Sequence, residues 1–534
     1  MEHKNQDHMP ECQVSESHTS ESHTLESHTP ETHIPGSHAS GDHTSEKHTP
    51  ETHTAAADTA DMAAATDTAD AADRSGTATT ADKSVTGSKR PKDKIQLSDH
   101  FDYKRLFRFV LPSVAMMIFT SIYSVVDGFF VSNFVGKVPF AAVNFTMPVL
   151  MLLSSVGFIF GTGGNALVSK TMGEGDYERS NRLFSMLIYI AAGVGAVLAV
   201  VGIIFLPQII SKLGAEGEML DNCVLYGRII LAAQPAFVLQ YAFQSFFVTA
   251  GKPGLGFVAT VGAGLMNMVL DAVFIIAFGW GIAGAAAATA ASGLTGALIP
   301  LIYFARKNSS LLKLTKTSYD GKALLKTCTN GASEFVTSIA MSVVSMLYNL
   351  QLMKYAGADG VAAYGVLMYV NYIFIAVFIG YSVGTAPLFG YNYGAQNHSE
   401  LHNLFRRSLW VINVCGVVMF ALIQLLAGKC AAVFVGYDPE LVKMTTEAFH
   451  IYCCSFLFVG MSIFGSAFFT ALNNGLISAI ISFMRTLVFE VGAVLILPLI
   501  FGIQGIWGSV VVAEVVSTAL TIGFMIAKRS KYHY

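Results

Sequence analysis

Charge is what this sequence is shortest of. Only 13% of its 534 residues are Asp, Glu, Lys or Arg, against about 25% in an ordinary soluble domain, while 53% are hydrophobic. With a mean hydropathy of +0.52, that shortage excludes a soluble protein built round a single core. The formal net charge of −3 gives no case for nucleic-acid binding. Cysteine is sparse as well. The seven (Cys12, Cys223, Cys328, Cys415, Cys430, Cys453 and Cys454) show no CxxC spacing, so no disulfide framework is expected. There is no GxxxxGK[ST] loop, hence no ATP-hydrolysing site on the chain, and no HExxH or GxSxG arrangement to suggest hydrolysis; no enzymatic activity is expected. Nor does the chain open with a cleavable leader, so the first long apolar run, beginning near Leu106, is expected to direct its own insertion and leave a cytoplasmic tail.

The charge that is present is unevenly spread. Residues 1–100 carry 8 Lys+Arg and 18 Asp+Glu, leaving 25 and 18 for residues 101–534. The first hundred residues are rich in Ser, Thr, His, Ala, Asp and Glu and bury too little apolar surface to offset the entropy of ordering, so a disordered tail is expected. A five-residue repeat resembling E-S-H-T-x spaces His18, His23, His28, His33 and four further histidines evenly along it. Flexible imidazoles with interleaved Glu can collect Zn, Ni or Cu ions weakly, with His18, His23, His28 and His33 as candidate ligands. The plainer reading is a low-complexity repeat with no site of its own.

A membrane-crossing helix needs about 20 mainly apolar residues. Such runs occur at 106–132, 139–169, 181–206, 219–249, 254–278, 281–304, 323–355, 360–391, 404–428, 441–471, 475–500 and 503–527, an expectation of twelve spans in an all-α integral membrane protein. An even count puts both termini on one side. Loops on that side carry about 18 Lys/Arg and the opposite loops about five, so the positive-inside rule makes both termini cytoplasmic.

Shifting the chain by 221 residues superposes its halves without a gap. Gly136, Ala141, Ala142, Gly163 and Gly173 fall on Gly357, Ala362, Ala363, Gly384 and Gly394; Phe247, Thr249 and Gly254 fall on Phe468, Thr470 and Gly475; Gly281 and Gly284 fall on Gly502 and Gly505. One offset across separated blocks implies a true internal repeat. Six spans per repeat give both halves the same orientation, related by a pseudo-two-fold axis along the membrane normal. The expected organisation is a tail over 1–100, a six-helix bundle over 101–306, a linker over 307–322 and a second bundle over 323–534. Two such bundles across a cleft suit alternating access.

An ionisable group in the hydrocarbon region costs about 2.5–3.5 kcal/mol on insertion scales, so it faces a cavity or a partner. Asp127, about 20 residues into the first span, and Asp271, about 17 into the fifth, reach similar depths at 1.5 Å per residue. Asn267 lies one turn before Asp271, and Thr289 sits at a matching depth in the sixth span. These four are the candidate coupling site: two carboxylates in low dielectric share a proton, or accept Na⁺ with amide and hydroxyl oxygens. Alternatively they hydrogen-bond neighbouring helices and merely stabilise packing. Glu334 lies near the midplane and is a candidate contact for an organic cation. Glu490 and Arg485 are five apart in the eleventh span and Glu514 is in the middle of the twelfth; these charges form a buried ion pair, or Glu490 and Glu514 contact substrate. Tyr369 and Tyr372 are candidate cavity aromatics, and Pro112, which removes a backbone hydrogen bond, is a candidate hinge.

The stretches LPSVAMMIFTSIYSVVDGFFVSNFVG (Leu111–Gly136), GTGGNALVSKTMGEGD (Gly161–Asp176) and PLFGYNYGA (Pro387–Ala395) resemble the multidrug and toxic compound extrusion transporters of bacteria, the last looking like the signature of a multidrug branch. The resemblance covers essentially residues 104–530. It implies a V-shaped pair of six-helix bundles in the bacterial inner membrane that export cationic organic compounds by antiport with H⁺ or Na⁺, without a cofactor. It matches Asp127 to the family's helix-one aspartate, Pro112 to its bending proline, Asn267 and Asp271 to its NxxxD pair, Thr289 to the threonine of that site and Glu334 to a helix-seven acid. Residues 448–472 hold no acid, a departure that argues against a second-bundle Na⁺ site, and Thr385 stands where relatives often carry Gln. The competing expectations are a lipid-linked oligosaccharide flippase, which requires basic residues in the cleft, and a metal-responsive transporter using the His-rich tail. A monomer is expected, since both bundles lie on one chain.

Overall fold

The computed structural model describes residues 95–534. The expectations for the tail, including His18, His23, His28 and His33 as metal ligands, therefore lie outside the described residues. From Tyr103 onward the chain is built of helices. In chain order the membrane-crossing helices are α1 (Tyr103–Phe134), α2 (Val138–Gly173), α3 (Tyr177–Lys212), α4 (Gly217–Ala232 and Gln234–Thr249), α5 (Pro253–Ala277) and α6 (Gly281–Ala305). After a connecting segment come α7 (Gly321–Gly357), α8 (Asp359–Gly394), α9 (His398–Val435) and α10 (Pro439–Ala471). The stretch Gly475–Tyr532 is split at Gly502, whose φ of 57° is non-helical, into α11 (475–501) and α12 (503–532). The described residues thus form twelve spans, six per lobe.

The sequence shows where the helices start. Asp102, Asp176, Asp320, Asn397, Asp438 and Asn474 each accept a backbone N–H from the first turn of α1, α3, α7, α9, α10 and α11. Asp176 and Asn397 are 221 residues apart, so the repeat extends to the caps. It also extends to backbone handedness. Gly136 and Gly357 turn α1 into α2 and α7 into α8 with φ of 115° and 63°, and Gly281 and Gly502 sit at the paired turns α5–α6 and α11–α12 with φ of 56° and 57°. Only glycine adopts these values without strain.

One expected span is not continuous. The run 219–249 bends by 56° between Ala232 and Gln234. Pro235, at the start of the second piece, has no N–H for the helical ladder, and its ring crowds the preceding turn. Pro112, by contrast, lies inside an uninterrupted α1. Three helices widen locally into π-helical turns, at Ile159–Gly163 in α2, Ala272–Ala277 in α5 and Met484–Glu490 in α11. Such turns gather at functional sites, and each of these holds or adjoins a polar residue of the interior: Thr162, Asp271 and Arg485.

The lobes meet on the side of the membrane where Tyr103 and Tyr532 lie, here the near side. A Cβ added at Gly173 would collide with the carbonyl oxygen of Tyr391, and one at Gly394 with that of Lys170. Gly163 is equally tight against Thr327 and Gly331 of α7. Asn473 donates to the Ala166 carbonyl at 2.7 Å and accepts from Asn330 at 2.8 Å, tying α2 to the second lobe. Before α1, the strap Ile95–Asp102 reaches across as well. Glu400 of α9 accepts the Phe101 N–H at 2.9 Å and contacts His100 Nδ1 at 2.6 Å, while Asn403 donates to the Phe101 carbonyl. One hydrophobic core runs through both lobes here, whereas the far half of the first lobe has its own, around Leu150, Leu206 and Leu231. Large apolar residues such as Leu425, Leu499 and Val197 remain on the outside, as a lipid-facing surface requires.

Candidate functional site

The first polar centre lies in the far half of the first lobe, where α1, α5 and α6 converge. Thr289 of α6 links two of its neighbours: its hydroxyl accepts from the Asn267 amide at 3.4 Å and donates to Asp127 Oδ1 at 3.5 Å. Asp271 lies beside Asp127, within interaction distance of its carboxyl. All four candidate coupling residues thus come together. Asp271 is 0% exposed, yet neither carboxylate oxygen has a hydrogen-bond partner, and Asn267 Oδ1 has none either. Buried polar atoms are nearly always satisfied, and three buried oxygens with no donor, set beside the Asp127 carboxyl, concentrate hydrogen-bond acceptors in one place. The α1–α5 approach that brings the carboxyls together depends on Gly264, where a Cβ would stand 2.6 Å from the Phe119 ring. The π-helical turn of α5 begins directly after Asp271.

Two tyrosines that sequence reasoning missed belong to this centre. Tyr226 of α4, almost fully buried, sits beside Thr289 and within electrostatic range of both aspartates. Tyr123 lies one turn before Asp127, within electrostatic range of Tyr241. The signals were available: Tyr123 has the i, i+4 spacing to Asp127, and Tyr226 sits nine residues into a span that starts on the far side.

The second centre is a cavity of about 310 Å³ between the lobes, walled mainly by the second one. Glu334 and Tyr372 line it as expected, and so do Glu490, Arg485 and Glu514. The first lobe contributes Thr120 and Ser121 of α1 and Asn165 of α2. Helix α1 therefore touches both centres. Of the two acids offered for a buried ion pair, Arg485 takes Glu514 of α12, through Nε and a terminal nitrogen each 2.7 Å from Oε1, and not Glu490. Spacing within one helix does not reveal a carboxylate arriving from the next. Tyr369 is also placed differently. It is 46% exposed and stacks on Phe434 of α9 with ring centroids 5.9 Å apart, outside the cavity wall. Pro112 lies in the near half of α1, where Gly380 and Gly384 of α8 pack against Val114 and Val110.

Comparison with known proteins agrees with this architecture. Solved structures with the same fold include an outward-facing conformation of a multidrug resistance MATE family transporter of the MOP superfamily (TM-score 0.78, 22% identity, 83% of this chain and 99% of that one). Another is a MATE in complex with MaD3S (TM-score 0.77, 22% identity, 81% and 97%). Among curated relatives, the multidrug export protein MepA of Staphylococcus haemolyticus is 26% identical over 433 residues, 80% of this chain and 94% of its own. MepA of Staphylococcus aureus strain MRSA252 is 26% identical over 414 residues, 77% and 91%. The MatE family profile matches twice, over residues 112–273 and 335–495, once in each lobe. With more than half its length matched, this chain belongs to the MatE family of multi-pass membrane transporters.

Proposed function

We propose that the protein is a secondary active multidrug exporter that moves organic cations across the bacterial plasma membrane by antiport with H⁺ or Na⁺. Relatives named multidrug export proteins support the class of activity. The observation that carries the coupling mechanism is the set of unpartnered oxygens on Asp271 and Asn267 beside Asp127. A carboxylate only accepts hydrogen bonds, so two facing carboxyls bond to each other only when one holds a proton. The same oxygens, with the Thr289 hydroxyl, also suit Na⁺, a hard cation that takes oxygen ligands. Loading this centre alters the electrostatics at the far end of α1, the helix that also lines the cavity through Thr120 and Ser121. In this reading the near side, where the lobes are closed, is the cytoplasmic one. The basic loops support cytoplasmic termini.

Organic cations are the substrate class that fits the cavity. Three carboxylates face one guanidinium, and Tyr364, Tyr372 and Tyr452 supply aromatic faces. A pyrophosphate-linked lipid fits poorly: Arg485 is committed to Glu514, and Arg228 is exposed on α4, away from the cavity wall.

The test is ethidium efflux from liposomes under an imposed proton or Na⁺ gradient, comparing wild type with Asp127→Asn and Asp271→Asn. Efflux that follows one gradient and vanishes in both variants is expected, and it identifies the ion. Folded wild-type protein that moves no cation under either gradient would overturn the reading.

A further inference from the structure

The two lobes are copies, and their polar centres show how the copies diverged. Residue 264 of α5 is a glycine against which Phe119 and Tyr123 of α1 pack. In the second lobe, 221 residues further on, the glycine has become Arg485 of α11, Phe119 and Tyr123 have become Ala340 and Val344 of α7, and Asp127 has become Tyr348. Bulk removed from α7 is matched by a long cationic side chain grown from α11. The first lobe thus holds acids with no cation of their own. The second holds acids together with a cation built into the chain.

The local geometry shows what that cation does. Both Arg485 nitrogens close on the single oxygen Oε1 of Glu514. The other oxygen, Oε2, has no partner although Glu514 is only 2% exposed, and the buried hydroxyl of Tyr348 is unpartnered too. A guanidinium normally forks across both oxygens of a carboxylate; here half of that capacity is unused. Glu490 and Glu334 lie within electrostatic range of Arg485, so one positive charge serves three carboxylates on the same cavity wall. Arg485 also sits in the π-helical turn of α11, where the regular ladder is already interrupted.

We propose that Arg485 is a tethered counter-cation: in the empty cavity its guanidinium holds the Glu514 carboxylate that an exported organic cation engages, so binding must release it. This makes Arg485 the residue that determines which cations the cavity accepts, and it rests on the reading of the cavity as a cation site. Planar cations carrying N–H donors, such as ethidium with its ring amines, reproduce the contacts of the displaced guanidinium. Cations with no donor, such as tetraphenylphosphonium, compensate only the charge.

The experiment measures binding of both probes to the purified full-length protein in detergent, for wild type, Arg485→Gln, Glu514→Gln and the double variant. Ethidium affinity is expected to rise by roughly tenfold in Arg485→Gln, because nothing has to be displaced, and to fall by a similar factor in Glu514→Gln, which leaves an unpaired guanidinium repelling the probe. The double variant returns close to wild type. In wild type, ethidium binds more tightly relative to tetraphenylphosphonium than in Glu514→Gln. Thermal unfolding without ligand reports the pair's structural share separately. Should Arg485→Gln fail to fold, Arg485→Lys, which keeps the charge but not the fork, is expected to bind ethidium a few-fold more tightly. Equal weakening in both single variants, or no change in Arg485→Gln or Arg485→Lys, would overturn the tethered role while leaving the cavity a cation site. Absence of ethidium binding in wild type would overturn both.

Discussion

Asp271 is buried without a hydrogen-bond donor on either carboxylate oxygen, an arrangement that costs about 1–3 kcal/mol per unsatisfied group. A carboxylate kept for packing would have acquired donors. Asp271→Leu, close in volume, is therefore expected to unfold at the same temperature as wild type or a higher one while efflux is lost; a clear drop in melting temperature would mean the carboxylate holds the helices together. Tyr226→Phe, which removes one hydroxyl from the centre, is expected to slow efflux several-fold with a stability change of about 1 kcal/mol. Asp127, Asn267, Asp271 and Thr289 were legible in the sequence because helical rise converts residue number into depth, and polar side chains at one depth in neighbouring spans find each other. Arg485 paired with Glu514 was not legible, since the carboxylate arrives on another helix. Tyr369 failed for the opposite reason: it shares a face with Tyr372 on α8, but α9 offers Phe434 to stack on.

Among the elements, α1 and the strap before it connect the two halves. At one end α1 supplies Asp127 to the first lobe; at the other, Phe101 and His100 are held by Glu400 and Asn403 of α9 in the second. Opening the near side requires these bonds to part. Glu400→Ala is expected to weaken near-side closure by about 1.5–3 kcal/mol, the scale of hydrogen bonds to a charged group. The strap should then exchange amide hydrogens faster at Phe101 while the helices of the far half keep their protection. Helix positions were readable from apolar runs, and the structure mainly lengthens them by a few residues at the ends, where Asp and Asn caps and charged turns lie outside the apolar stretch. The bend in α4 was overlooked because the run 219–249 stays apolar through Pro235, and hydropathy does not register a missing N–H.

For the whole molecule, alternation between states requires the near-side seam to open and close. Gly173 and Gly394 permit closure only because they have no side chain. Gly173→Leu is expected to keep the seam apart and trap the lobes open on the near side. Cys328, half-buried on α7 next to Thr327, whose carbonyl meets Gly163 across the seam, should then react with maleimide faster than in wild type, as read by peptide mass. Deleting residues 1–94 leaves both centres and the strap in place. Ethidium efflux is expected to survive that deletion, and a selective loss of metal tolerance would give the histidine repeat a task of its own.

The seam also bears on the history of the duplication. Its closest contacts pair Gly173 with the main chain at Tyr391 and Gly394 with the main chain at Lys170, positions the repeat exchanges with each other. At these two contacts the seam is formed from backbone and absent side chains, so the tightest part of the fit between the copies asks only for glycine at the two positions. Away from it the two interiors differ, one holding the Asp127–Asp271 acid pair and the other Arg485 paired with Glu514, while the joint between them keeps the same glycines.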